Sequence, residues 1–72
     1  MDREMIIRHL AQVEEHVALG VRHIVEQEAR IKDLDRDGHD STEARRLLRL
    51  FRETQVQHVE HRDRLLGDLA QF

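Results

Sequence analysis

Histidine is the side chain whose chemistry stands out in this sequence, and five of the six histidines follow a helical spacing. His9, His16 and His23 recur every seven residues, so on an α-helix they form one column along one edge. His58 and His61 occupy one edge of a second helical segment. If the two segments pack antiparallel, these edges meet and His16 comes level with His61. Imidazoles from facing helices can converge on zinc or a similar transition metal.

The candidate metal ligands are therefore His16, His58 and His61, with His23 or Glu15 nearby. The alternative is that the imidazoles flank the seam between the helices and form hydrogen bonds there, a common role for amphipathic side chains. This second interpretation assigns no metal and no other cofactor to the chain, and we adopt it as the leading one.

Residues that would support catalysis are scarce. The chain has no Cys, Tyr or Trp, and Ser41, its one serine, lies where a helix cap is expected. Gln55-x-x-His58 has the spacing of the Glu-x-x-His pair of di-iron bundles, but Gln replaces the bridging carboxylate. We expect no enzymatic activity.

A calcium-like string lies between the two helical segments. Asp33, Asp35, Asp37 and Gly38 match the first half of an EF-hand loop, but Ala44 stands where the bidentate glutamate is required. We expect these acids to serve the turn and not a calcium ion.

Apolar residues recur at steps of three and four on both sides of this turn, which is typical of amphipathic helices. We predict a single all-α domain over 1–72, with helices over 3–36 and 41–70 joined by a turn over 37–40. Gly38 suits a left-handed helix end, and Asp40 with Glu43 predicts a capping box. Helices of such similar length joined by a short turn fold back as an antiparallel hairpin.

The apolar stripe of the first helix spans roughly 140°, which is wider than one neighbouring helix covers. Two hairpins packed together would cover it, so we predict a homodimer that forms a four-helix bundle. A larger oligomer or a different partner helix stays open, as does the relative orientation of the hairpins. The residues predicted to form the core and the dimer contact are Leu10, Val13, Val17, Val21, Ile24, Ile31, Leu48, Phe51, Val59, Leu66 and Leu69.

Polar side chains interrupt the stripes. Glu14 and Glu28 of the first helix are expected to form ion pairs that set the register. By hairpin symmetry Glu14 comes level with Arg62 and Asp63, of which Arg62 is the possible ion-pair partner. Glu28 comes level with Arg49 and within reach of Arg45 or Arg52. Gly20 lies opposite Gln55 and His58, where it leaves room for those side chains or for a ligand.

Composition narrows the class of protein further. The 72 residues are 38% charged with a formal net charge of -3, so nothing indicates the basic excess of a nucleic-acid binder. The arginines of the second helix are interleaved with glutamates. No apolar run reaches membrane-spanning length and the first residues lack a signal-peptide pattern, which favours the cytoplasm.

Three segments carry a resemblance. They are Leu34-x-Arg36-Asp37-Gly38-His39-Asp40-Ser41-x-Glu43-Ala44-Arg45-Arg46-Leu47-Leu48, then His58-Val59-x-His61-Arg62-Asp63-Arg64-Leu65-Leu66, and more weakly His9-Leu10-Ala11-Gln12. The chain resembles a group of short bacterial helical-hairpin proteins to which no activity is attached. The resemblance implies a hairpin and a bacterial origin, and it implies no site.

These observations lead to two hypotheses about function. The first is a small, non-enzymatic interaction or structural protein, a homodimeric bundle that could act as an adaptor for an unidentified protein. The alternative is a bundle that binds a zinc-like metal or a cofactor through the edge lined by histidines.

Overall fold

The computed structural model describes residues 2–72 and consists of two α-helices, α1 over Arg3–Arg36 and α2 over Thr42–Leu69. They pack against each other along their length, which confirms the predicted helical hairpin. The sequence placed the helices at 3–36 and 41–70, so α2 is one residue shorter at each end. The hairpin is a rod of 55 × 14 × 13 Å between Cα atoms.

Both ends of α1 are closed by local hydrogen bonds. At its start, the backbone N–H of Met5 donates to the Asp2 carboxylate at 2.8 Å. At its end, Gly38 adopts a left-handed conformation with φ of 76°, and the N–H of His39 donates to the Leu34 carbonyl at 2.9 Å. This is the hydrogen-bond pattern of a Schellman motif, and it explains why the turn requires a glycine.

The start of α2 differs from the predicted capping box. The Asp40 carboxylate accepts bonds from the backbone N–H and the hydroxyl of Thr42, at 2.9 and 2.7 Å. These bonds, the hydroxyl first, lower the pKa of the Asp40 carboxyl below its ordinary value. Glu43 does not reach back to the turn and instead pairs with Arg46 at 2.9 Å. The predicted box is therefore wrong, because Asp40 bonds only two residues ahead and Ser41 occupies the cap position.

The core runs along the seam between the helices. Toward the open end, Ile6, Val13 and Leu65 form a buried cluster, with Leu10 and Leu69 packed against it. Toward the turn, the buried side chains are Gln27, Ile31 and Leu48. Three of these buried residues were not among those predicted to form the core, namely Ile6, Leu65 and Gln27.

The predicted core residues divide into three groups. Val13, Ile31 and Leu48 are buried. Those that are partly buried are Leu10, Val17, Ile24, Phe51, Val59 and Leu69. Val21 and Leu66 are 53% and 43% exposed, so they do not belong to the core of the hairpin. They lie at the flank of the apolar stripes, where the neighbouring helix does not reach.

Two glutamines cross the seam and bond to the backbone of the opposite helix. The Gln27 amide nitrogen donates to the Ala44 carbonyl at 2.9 Å, and that of Gln55 donates to the Val17 carbonyl at 2.8 Å. Because both bonds join side chain to main chain across the hairpin, they set the register of α2 against α1.

Candidate functional site

Two edges flank the core, and the polar chemistry of the hairpin is divided between them. We call the first the histidine edge, formed by His9, His16, His23, Phe51, His58 and His61. The second is the ion-pair edge, formed by Glu28, Asp35, Arg45 and Arg52.

The histidine edge is built from rings that meet across the seam. The His16 and His58 rings lie 5.2 Å apart between centroids at an angle of 48°, and those of His23 and Phe51 lie 5.7 Å apart. His61 lines a groove beside the first pair. His16 was predicted to lie level with His61, so its contact with His58 lies about one helical turn from the expected position.

The predicted ligands share one edge of the hairpin. His16, His58 and His61 line the same groove together with His9, whereas His23 lies against Phe51. Within residues 2–72, no group of three or more histidine, aspartate or glutamate side chains is arranged to hold a metal ion.

An open groove of about 340 Å³ lies between the two ring pairs. Leu19 and Phe51 give it an apolar wall, and Thr54 lies on the α2 side. Neither Leu19 nor Thr54 was among the predicted site residues. The sequence feature that could have identified Thr54 is its spacing of seven residues from His61, which places both residues on one edge of α2.

Gly20 closes the floor of this groove. A Cβ atom at Gly20 would overlap with Oε1 of Gln55, so the missing side chain makes room for the glutamine. That oxygen is buried and has no hydrogen-bond partner within the described chain. Gly20 also lines the open groove.

The ion-pair edge joins α1 to the start and the middle of α2. Arg45 pairs with Asp35 next to the turn, and Arg52 pairs with Glu28 at 3.4 Å. The predicted ion pair of Glu28 with an arginine of α2 is confirmed. All four side chains are well exposed, so each pair contributes little to stability.

Asp35 is the carboxylate with the most partners on this edge. The Ser41 hydroxyl donates to it at 2.7 Å, and the Arg45 guanidinium donates to its other oxygen. The Ser41 bond, followed by the opposing effect of desolvation and the attraction of Arg45, leaves the pKa of Asp35 below its ordinary value. These contacts close the turn against the first residues of α2.

The second predicted ion pair is wrong. Arg62 pairs with its neighbour Asp63 at 3.1 Å, and Glu14 takes part in none of the ion pairs of residues 2–72. Glu14 is exposed, because it lies farther from the seam than Glu28.

The calcium-like string is divided between a helix and a turn. Asp33 and Asp35 lie inside α1, and Arg36 pairs with both Asp33 and Asp37 at 3.1 Å. Because these acids have protein partners, the arrangement is that of a helix end and not of an EF-hand loop.

Compared with protein-family models, with curated proteins and with solved structures, the chain shows no significant match. Over the described residues, neither helix contains a segment that is long and apolar enough to cross a membrane.

Proposed function

We propose that this chain is a non-enzymatic, cytoplasmic interaction or structural protein that acts as a homodimeric four-helix bundle. The supporting observation is the imbalance between buried and exposed apolar side chains. In the described chain, five hydrophobic residues are buried, while ten large hydrophobic residues are 38–67% exposed. These ten are Met5, Ile7, Leu19, Val21, Val25, Leu47, Leu50, Val56, Leu66 and Phe72.

The energetic argument concerns the size of the core. A hairpin of this length buries too few side chains to offset the conformational entropy of ordering two long helices. Burial of one further valine or leucine side chain contributes about 1.5–3 kcal/mol. A second hairpin would cover several of the exposed side chains at once, and so supply the missing stabilisation.

Thermal unfolding at several protein concentrations tests this proposal. For a dimer that unfolds to separate chains, the midpoint temperature of helix loss rises with concentration, because association is coupled to folding. The same midpoint at all concentrations would show a hairpin that folds alone. A matched pair of variants, Val21→Ser and Arg22→Ser, separates the loss of an exposed apolar group from a general effect of surface substitution.

The alternative function, binding of a zinc-like metal, is supported by the 5.2 Å approach of His16 to His58 and by the groove that His61 shares with them. Calorimetric titration of zinc into protein without a histidine tag tests it. Metal binding should be lost in His58→Ala and kept in the control His39→Ala, whose imidazole lies in the turn. Absence of stoichiometric binding by the unmodified chain would reject this alternative.

A further inference from the structure

The exposed apolar side chains lie on both sides of the core. A group that we call the aliphatic face flanks the ion-pair edge, and it consists of Ile7, Val21, Val25, Val56 and Leu66. Val21 lies one heptad before Glu28, and Leu66 lies two heptads after Arg52. Helical geometry therefore places both residues on the same side of the core as the ion pairs.

The histidine edge carries a second group of exposed apolar residues, which are Met5 and Leu19 on α1 and Leu47 and Leu50 on α2. On α1 the exposed imidazoles of His16 and His23 lie on either side of Leu19. A partner helix placed there would have to desolvate these polar rings, which is unfavourable without new hydrogen bonds.

The aliphatic face of α1 has a symmetric order of residue types. Glu14, Val21, Val25 and Lys32 follow one another at spacings of seven, four and seven residues, and all four lie on one stripe of the helix. An antiparallel copy of this stripe, related by a two-fold axis at residue 23, brings each Val21 against a Val25. The same axis brings each Glu14 against a Lys32, so the charges complement each other twice.

The charged ends of this stripe are free to make such contacts. The ion pairs of residues 2–72 involve neither Glu14 nor Lys32, and both side chains are exposed. On α2, the pairing of Glu28 with Arg52 and of Asp35 with Arg45 places residue 57 level with residue 23. Val56 therefore lies beside the same axis and meets its own copy there.

The dimensions of the rod agree with a stable contact. One long face of the hairpin measures 55 × 14 Å between Cα atoms. A stable protein interface buries about 800 Å² on each partner, so the contact would extend along most of this face. An isologous contact of this kind uses the same patch on both copies, as closed dimers do.

We propose that a second copy of this chain docks antiparallel on the aliphatic face, with Val21 against the partner's Val25 and Glu14 against the partner's Lys32. This inference rests on the proposed homodimer. It adds which face forms the interface, the relative direction of the two hairpins and the pairing of residues across the interface. The two turns then lie at opposite ends of the bundle, and the histidine edge stays open on both copies.

Charge reversal tests the register. Glu14→Lys and Lys32→Glu each replace two attractive contacts per dimer by two repulsive ones, so each should raise the dimer Kd about tenfold. The double variant restores both pairs with inverted polarity and should return the Kd to within about threefold of the unmodified value. The control Glu26→Lys makes the same charge change beside the histidine edge and should leave the Kd nearly unchanged. If the single variants leave the dimer Kd unchanged, or if the double variant has a higher Kd than both single variants, the proposed register is wrong.

A distance measurement tests the direction independently. The chain contains no cysteine, so His39→Cys carries one spin label in the turn of each copy. The axis at residue 23 predicts that the two labels are about 45–50 Å apart, at ~1.5 Å of helix rise per residue. A separation below about 25 Å would mean that both turns lie at the same end and would overturn the proposed direction. If the chain is a dimer but fails these tests, the proposed interface is wrong and the proposed homodimer stands. If the chain is a monomer at all concentrations, both proposals are wrong.

Discussion

The histidine edge and the ion-pair edge flank one core, yet they join the two helices in different ways. Each edge follows a seven-residue spacing on both helices, with His16 and His23 on one side and Glu28 and Asp35 on the other. On the histidine edge, rings meet ring to ring and leave a groove between them. On the ion-pair edge, exposed arginine side chains of α2 reach across to carboxylates of α1. The heptad thus determines which residues become neighbours, and the residue type determines what the contact can do.

The largest expected effect comes from the core that the two edges share. Leu65→Ala removes a buried side chain from the cluster at the open end, where little else is present to fill the space. We expect the free energy of unfolding to fall by about 2–5 kcal/mol. Chemical denaturation at one fixed protein concentration measures this loss. A decrease similar to that of the exposed Leu50→Ala would show that the edges, and not this cluster, carry the stability.

A smaller effect is expected beneath the groove of the histidine edge. Gly20→Ala forces Gln55 to move, which breaks its bond to the Val17 carbonyl in the seam. The loss exceeds the ~1 kcal/mol that alanine gains in helix propensity, so we expect a net destabilisation of about 1–2 kcal/mol.

Gly67→Ala is the matched control for this substitution, because a Cβ atom there meets no other atom. It should stabilise the protein by up to ~1 kcal/mol. Equal thermal shifts of the same sign in the two variants would contradict the assigned role of Gly20.

On the ion-pair edge, the expected effect depends on pH and concerns Asp35. Its pKa is lowered in the folded state, so its contribution to stability is present above the ordinary aspartate value of 3.8 and is lost as the pH falls below it. Asp35→Asn should therefore lower the thermal midpoint at pH 7 and have almost no effect near pH 2. Asp33→Asn, which removes only an exposed ion pair with Arg36 within α1, serves as the control. A constant difference between Asp35→Asn and the unmodified chain at all pH values would argue against the ion pair.

The smallest expected effect is that of the exposed pair in the middle of this edge. A double-mutant cycle on Glu28→Gln and Arg52→Gln should give a coupling of about 0.2–1 kcal/mol that decreases at high salt. A coupling well above this range, or one that salt leaves unchanged, would indicate that the pair is buried in the assembled protein. Such burial would support a partner hairpin docked on the neighbouring aliphatic face.

The sequence was sufficient to predict the hairpin, because the apolar spacing is strong and Gly38 marks the one place where both helices can end. It was also sufficient to bring the histidines to one edge. It was insufficient for the register, because the position of the turn does not reveal which residues of the two helices bond to each other. The bond from Gln55 to the Val17 carbonyl accompanies a register in which His16 contacts His58. It missed the buried Gln27 for the same reason, because a polar residue reveals its burial only when its partner carbonyl is known.

Sedimentation equilibrium of the unmodified chain tests the central claim most directly, namely that one hairpin cannot cover its own apolar surface. We expect a fully helical particle of about twice the chain mass of 8.6 kDa, which loses helicity when dilution dissociates it. A compact and fully helical particle of 8.6 kDa at low concentration would contradict the homodimer and the interface proposed on the aliphatic face.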